Sequence, residues 1–394
     1  MSKRDVMVMS AVRSAIGSFG GGLADIEPHE LGGTVMKESI ARSGLDPQRI
    51  HYVTVGNCIP TESRFAYVAR VASIQAGLPM DSVAMAVNRL CSSGLQAIVT
   101  TAQNILLGDA DAGIGGGVEV MSRGAYLSPQ LRSGARMGDV KMIDSMVATL
   151  TDPFGVGHMG ITAENLAAKW TITREQQDAL AVESHRKAAA AIAEGRFKGQ
   201  IVPIVKQTRK GEVTFDTDEH VKAGTTMETL AKMKPAFKKD GTVTAGNASG
   251  INDGAAFLVL ADASVANTNG HKPLARLASY AVAGVPNDVM GEGPIPATKA
   301  ALKKGGFTLS QMDVIESNEA FAAQAIAVAR GLEFDLGKVN PNGGAIALGH
   351  PIGCSGAFLA TKAIHELHRT GGRYALVTMC IGGGQGIAAI FERV

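Results

Sequence analysis

Four side chains stand where groups that do chemistry would stand. Cys91 lies in "VNRLCSSGLQAIVTTAQNILLG", just ahead of an apolar periodicity that begins at Leu95. That places its thiol at or before a helix N-terminus. There, unpaired N–H groups and the helix dipole favour a thiolate, and such thiols fall to pKa ~3.5–7.5. The same N–H groups suit an oxyanion. A small buried side chain in a tight turn would fit the position too. His350, in "NPNGGAIALGHPIGCSG", sits in a stiff loop, since Pro351 restricts its backbone and the flanking glycines admit close approach. It offers one titratable group, or only a partner for carbonyls. Asn318, in "VIESNEAFAAQAIAVA", follows a strand pattern and precedes a helical one. Its amide therefore belongs at the carboxyl edge of a sheet, where open α/β sheets bind ligands; an N-cap is the plainer use of Asn there. Cys380 ends the strand-like run "RYALVTMCIGGGQG" beside Gly382, Gly383 and Gly384, whose N–H groups no side chain screens. A buried strand thiol is its alternative. Nucleophilic catalysis by a thiol, with a base and oxyanion donors, is the chemistry these types allow. Cys58 and Cys354 follow no such logic and read as structural. His365 and His368, three apart on a helix, read as surface residues.

The elements that must position these groups occur twice. "VMKESIARSGLDPQRIHYVTVGN" with "NRLCSSGLQAIVTTAQNILLGDADAGIGGG" runs helix, glycine, strand ending in Asn, turn, helix, glycine, strand, triple glycine. "ATKAALKKGGFTLSQMDVIESN" with "GHPIGCSGAFLATKAIHELHRTGGRYALVTMCIGGG" repeats that order. Gly44 and Gly94 are 50 residues apart (44 to 94), as are Gly306 and Gly356 (306 to 356). Such matched order reads as duplication. Strands alternating with helices imply βαβ units and mainly parallel sheets, one per half, with helices between and outside. If the halves pack by pseudo-symmetry, all four groups meet at one edge between the sheets. Residues 121–249 break the rhythm and read as an insertion. Within them, 196–240 hold ten Lys/Arg against six Asp/Glu, a local basic surplus in a chain of net charge +2.

The composition narrows the setting. At 394 residues, 45% hydrophobic and 19% charged, the chain is globular and too long for one ordinary core. A net charge of +2 gives no reason to expect nucleic acid or an anionic membrane. Four scattered cysteines form neither a disulfide scaffold nor a zinc site, so no metal is expected. "MSKRDVMVMSAVRSAIG" reads as a first strand rather than a secretory signal. No apolar run reaches the ~18 residues of a membrane span, and "FERV" carries no peroxisomal address. A cytoplasmic setting is expected.

"NRLCSSG", "NEAF", "GHPIG" and "CIGGGQG", with "HMGITAEN" and "VTAGNASGINDGAA", closely resemble the thiolase family in order and spacing, from about residue 4 to Val394. The likeness is strongest to bacterial acetyl-CoA acetyltransferases and short-chain β-ketothiolases. It implies an α/β fold with a five-layer α-β-α-β-α core of two duplicated halves plus an inserted loop domain. The halves would be 1–120 with 250–272, and 273–394. The loop domain, 121–249, would serve CoA binding and tetramer contacts. The family reaction is a reversible Claisen exchange in which two acyl-CoA molecules give a 3-ketoacyl-CoA and free CoA. The partners implied are acyl-CoA substrates and copies of the chain itself in a homotetramer, a dimer of dimers. Coenzyme A enters as substrate and product, with no permanently bound cofactor.

Carried over by motif, Cys91 is the acylated nucleophile and Cys380 the acid/base that removes the α-proton of the second acyl-CoA. His350 activates Cys91 and donates to one oxyanion, beside a water held by Asn318. The N–H groups of Cys91 and Gly382 form a second oxyanion hole. The resemblance places His158, Met159, Lys222, Phe237, Ala245, Ser249, Ala320 and Phe321 along CoA, and Met290 at the acyl pocket wall. Three departures touch these roles. Ser92 follows the nucleophile where Gly is more usual, Lys222 stands where relatives often carry Arg, and Glu292 lies near Met290, facing solvent or narrowing the pocket. The chemistry makes matching demands, since an α-carbon acid needs its enolate stabilised as it forms. A broader-range degradative 3-ketoacyl-CoA thiolase and a non-catalytic acyl-CoA carrier are the rival readings. A ketoacyl synthase would bring a second catalytic histidine where "NEAF" stands.

Overall fold

A computed structural model describes residues 4–209, 211–266 and 272–394. The strands that frame the site are β1 (Val6–Ser14), β2 (Tyr52–Gly56), β3 (Val83–Val87), β4 (Ala112–Val120), β5 (Ile201–Val202), β6 (Asn252–Asp262), β7 (Ala275–Gly284), β8 (Val314–Ser317), β9 (Tyr374–Ile381) and β10 (Gln385–Arg393). The helices are α1 (Pro28–Ser43), α2 (Val68–Gln75), α3 (Ser93–Leu107), α4 (Met159–Lys169), α5 (Arg174–Ala193), α6 (Pro294–Gly305), α7 (Ala322–Leu332) and α8 (Ile352–Thr370). Glycines with left-handed φ stop helices in each half, Gly44 after α1 and Gly306 after α6.

The strand order is β8-β9-β10-β7-β1-β6-β4-β2-β3. The two half-sheets expected from the repeat are present, but they are not separate. Met7 pairs with Arg276 and Val8 with Ala275, and this short β1–β7 ladder makes one continuous sheet. Nor are they mainly parallel. β2/β3, β2/β4 and β8/β9 are parallel, whereas β1/β6, β6/β4, β7/β10 and β9/β10 are antiparallel. Strand–helix alternation fixes direction only across crossovers. β10 returns through the Gly382–Gly384 hairpin, and β6 follows the insertion, so each enters its half reversed.

Five layers result. α1 and α2 pack outside the first half-sheet around Leu31, Val35 and Val53. α3 and α8 lie in the middle, burying Leu95, Ile98, Ala357 and Phe358 against both half-sheets. α6 and α7 cover the second around Ala301, Val328 and Leu376. The middle helices cross where a Cβ on Gly356 would lie 2.4 Å from Leu95 N and one on Gly94 2.9 Å from Ala357 N. The equally spaced glycines of the sequence are therefore the crossing point.

The duplication extends to detail. β1 has a register shift against β6 between Val8 and Ser10, and β7 one against β10 between Leu277 and Ser279. In each half the serine at the bulge donates to a carbonyl of the outer helix, Ser10 to Ser39 O (2.6 Å) and Ser279 to Ala301 O (2.7 Å).

The segment expected as an insertion is bound tightly to the core. Its β5 pairs in parallel with β1, Arg13 against Ile201. Fully buried Arg13 forms a two-pronged ion pair with Asp218 (2.7 and 2.8 Å) and lies between the Phe197 and Phe358 rings. Residues 267–271, at the expected junction of the halves, lie outside the described residues. Among the described residues no helix is long and apolar enough to cross a membrane.

Candidate active site

Cys91 sits on a single 3-10 turn, Leu90–Ser92, that leads into α3 at Ser93. The turn is strained, because Leu90 holds φ 48°, a left-handed value that a Cβ disfavours. Polar contacts hold it there. Asn88 Oδ1 accepts from Leu90 N (2.9 Å), and Ser93 Oγ donates to Leu90 O (2.7 Å) while accepting from Arg89 N (2.8 Å). Behind it, the Cys58 thiol donates to Leu90 O at 3.2 Å, a structural role. Ser92 turns away from the cavity and donates to Arg89 O (3.1 Å).

The backbone N–H groups of Gly382 and of Cys91 itself lie near the Cys91 thiol and favour its thiolate. The expected depression of its pKa is nevertheless overturned. Burial outweighs both N–H groups, Glu119 adds a smaller upward push, and the thiol is pushed up to about 11. A helix terminus favours a thiolate in contact with water; here the desolvation cost is larger. Cys380, fully buried at the end of β9, is also raised, first by burial and then by Cys91 nearby. The two thiols of the separate halves line one cavity of about 450 Å3, together with His350.

His350 follows Gly349, whose φ of 104° lets the chain pass where a Cβ would overlap Asn252. Asn252 Oδ1 accepts from His350 N (2.9 Å). The His350 Nδ1 lies 2.6 Å from Ser355 Oγ, and that hydroxyl donates to Pro351 O (2.9 Å). With its own proton committed, Ser355 accepts from Nδ1–H, which leaves Nε2 as the unprotonated nitrogen. Burial lowers the His350 pKa to about 4, so the ring is neutral. Asn318 Nδ2 lies 3.5 Å from His350 Nε2. Asn318 continues β8, its N–H bonding Thr378 O at 3.0 Å. It does not cap α7, which starts at Ala322 after Phe321. Chain from 318 to 321 intervenes because Ala248 and Phe321 form a bridge and Ser249 N bonds Ala320 O (3.0 Å).

Every residue expected along CoA lines the same cavity: His158, Met159, Lys222, Phe237, Ala245, Ser249, Ala320 and Phe321, with Met290. His158 caps α4 by accepting from Gly160 N and stacks on Phe237 at 4.7 Å. Glu292 neither faces solvent nor narrows the cavity. It accepts from Trp170 Nε1 (2.7 Å) and pairs with Lys169, tying the chain beside Met290 to the end of α4. His220 also lines the cavity but had no local signal; it reaches the wall only because Gly250 leaves room. Ser355 and Asn252 were missed as well. Ser355 follows His350 by five residues and could have been found as a first-turn serine. Asn252, 98 residues away, could not. His365 is half-buried, its Nε2–H donating to Ala11 O (2.9 Å), and is not a free surface residue. The metal-type grouping found among the described residues, Glu27, His29 and Glu62, is met by Arg64 and Arg123.

Two thiols and a neutral imidazole around paired N–H donors, at the meeting of duplicated halves, define an acyltransferase that works through cysteine. The chain matches the family models for the thiolase N-terminal domain over 6–264 and the thiolase C-terminal domain over 271–393. It is 57% identical to beta-ketothiolase BktB of Cupriavidus necator (99% of this chain, 100% of that one). It is 51% identical to an acetyl-CoA acetyltransferase of Pseudomonas aeruginosa (99% and 100%). Similar solved structures include a Bacillus anthracis acetyl-CoA acetyltransferase (TM-score 0.97, 45% identity, 100% and 99% covered). Another is a human mitochondrial 3-ketoacyl-CoA thiolase in complex with CoA (0.96, 42%, 99% and 98%). The chain belongs to the thiolase family.

Proposed function

We propose that this thiolase makes and cleaves short-chain 3-ketoacyl-CoA, joining two acetyl-CoA to acetoacetyl-CoA and CoA in one direction. Cys91 attacks the first thioester while His350 Nε2 takes its proton, and the departing CoA thiolate takes the Cys380 proton, giving an acyl-cysteine, CoA and a Cys380 thiolate. The N–H groups of Cys91 and Gly382 receive the oxyanion. Cys380 then removes the α-proton of the second acyl-CoA, and its enolate oxygen lies by His350 Nε2–H and a water on Asn318. The new carbon–carbon bond forms as the acyl group leaves Cys91, whose thiolate takes its proton back from His350 Nε2. Asn318 Oδ1 is buried and meets no protein donor, which suits a water that bonds to it.

His158, Met159, Phe237, Ala245, Ser249, Ala320 and Phe321 form the wall for pantetheine. Lys222 supplies charge toward the nucleotide end, beside His220, which burial and the neighbouring Lys222 hold below the usual imidazole range and so neutral. Met290 bounds the acyl end beside Met159 and Met121, soft thioethers that suit short chains. CoA comes and goes as substrate, with no resident cofactor. Residues 121–249 carry most of the CoA contacts and much of the assembly surface, and 1–120 with 250–272 and 273–394 carry the catalytic halves. A homotetramer, a dimer of dimers, fits two separate exposed apolar surfaces, one along β3 and one over 126–147. Four free thiols suit a reducing, cytoplasmic setting.

The observation that carries this reading is that the N–H groups of Gly382 and Cys91 lie near the Cys91 thiol in the cavity Cys380 lines. Incubation with acetyl-CoA followed by peptide mass spectrometry should find acetyl on Cys91. A Cys380→Ala variant should accumulate it, and Cys91→Ser should show no thioester. A label on another cysteine would sink the assignment.

A further inference from the structure

Behind the nucleophile lies a carboxylate that the reaction above does not use. Glu119, fully buried near the end of β4, faces only donors. Its Oε1 accepts from Asn57 Nδ2 (3.0 Å) and Ile59 N (3.1 Å), and its Oε2 from Cys58 N (3.0 Å) and Gly353 N (2.9 Å). Asn57, Cys58 and Ile59 follow β2 in the first half. Gly353 belongs to the first turn of α8 in the second, three residues after His350. A carboxylate at a helix N-terminus is favourable, but this one is supplied across the interface between the halves.

The packing leaves it no slack. A Cβ on Gly353 would lie 2.5 Å from Glu119 Oε2, one on Gly117 2.1 Å from Gly353 O, and one on Gly56 2.6 Å from the same carbonyl. The start of α8 therefore rests on bare backbone of β2 and β4, and the Glu119 carboxylate is what bonds it there. Cys58, which Glu119 holds through its N–H, in turn donates to Leu90 O, the strained residue that aims Cys91. One side chain thus bonds to the chain carrying the base and to the support of the nucleophile.

We propose that Glu119 is a positioning residue that sets the register of His350 against Cys91 by clamping the two duplicated halves at the active site. Its charged form is the working form, since a protonated carboxyl could not accept from all four groups. The titratable groups facing it are Cys58, Cys91 and Cys354, with no lysine or arginine among its partners. Across the β4–β6 ladder, Asp253 pairs with the next residue, Val120. Burial raises Glu119 to about 7, against the pull of the Ile59, Cys58 and Gly353 N–H groups. Lowering the pH through this range protonates the clamp, whereas His350, at about 4, is still neutral.

The inference rests on the roles given to Cys91 and His350 above, and its test separates the two. In the wild-type enzyme, kcat should fall as pH drops through about 7. Glu119→Gln, which puts an N–H2 against two of these donors, should lower kcat about tenfold or more at neutral pH with KM little changed. It should also lose that acid limb and shift the iodoacetamide titration of Cys91 down by about one unit, because a nearby negative charge is gone. Gly353→Ala should reproduce the kcat loss. If alkylation of Cys91 leaves activity intact, the assignment of the nucleophile fails, and the clamp with it. If alkylation abolishes activity but Glu119→Gln keeps wild-type kcat and the same acid limb, the clamp alone is overturned. Should Glu119→Gln not fold, an acid limb absent from the wild-type profile overturns it equally.

Discussion

The proposed nucleophile and base start as a neutral pair. The Cys91 thiol is raised to about 11 and the His350 imidazole lowered to about 4, both chiefly by burial. Transferring the proton before substrate arrives would put two opposite charges in a largely apolar cavity, so transfer must accompany thioester attack, when the oxyanion meets its donors. Such a mechanism depends on the imidazole presenting a lone pair at Nε2, which Ser355 enforces. Ser355→Ala should therefore lower kcat about tenfold through the wrong tautomer and a freer ring, with KM for CoA unchanged and the melting temperature nearly so. Steady-state thiolysis with circular dichroism checks this; unchanged kcat would remove Ser355 from the mechanism. At this scale the sequence was legible where chemistry is written in local motifs, as for Cys91, His350 and Cys380. It was illegible where a partner arrives from far along the chain, as with Asn252, His220 and Glu119. Helix-end logic also misjudged the Cys91 pKa, because exposure is a property of the assembled fold.

Among the elements, the triple glycine is the piece whose function follows from geometry. Gly383 and Gly384 take φ of 80° and 92°, so the β9–β10 hairpin turns in a conformation that side chains resist. A Cβ on Gly384 would lie 2.3 Å from Val285 O, a backbone atom, whereas one on Gly382 would lie 3.1 Å from Leu90 Cδ1, the end of a side chain. Gly382 itself has ordinary φ, so its value lies in the N–H it turns to Cys91. Gly384→Ala should rebuild the turn, move that donor and cost kcat about a hundredfold, whereas Gly382→Ala should keep the donor and lose far less. Comparing acylation rates of the two variants by stopped-flow tests the order, and equal losses would contradict it. The 50-residue glycine spacing made the duplication legible before any coordinates. Strand direction was not, because it depends on which neighbour each strand finds.

The whole molecule presents two unrelated apolar surfaces. β3 is an edge strand, with Val83 half exposed and Leu107 and Met80 about seven-tenths exposed beside it. The 126–147 stretch exposes Tyr126, Leu131, Val147 and an almost wholly bare Met137. An open apolar strand edge invites aggregation unless another copy closes it. A two-fold dimer needs only one self-complementary patch, and a dimer of dimers needs a second, different one. In the proposed dimer of dimers, β3 would join two chains edge to edge and the 126–147 stretch would join the pairs. Leu131→Asp with Met137→Asp should then leave dimers, and adding Val83→Lys with Leu107→Asp should leave monomers. Sedimentation velocity reads both steps. A wild-type protein that sediments as a monomer, or a first pair of changes that leaves its sedimentation unchanged, would refute the assignment of these surfaces. None of the four substituted residues lines the cavity, so acylation of Cys91 in the dimer should proceed at the wild-type rate, and assembly and chemistry can be scored separately.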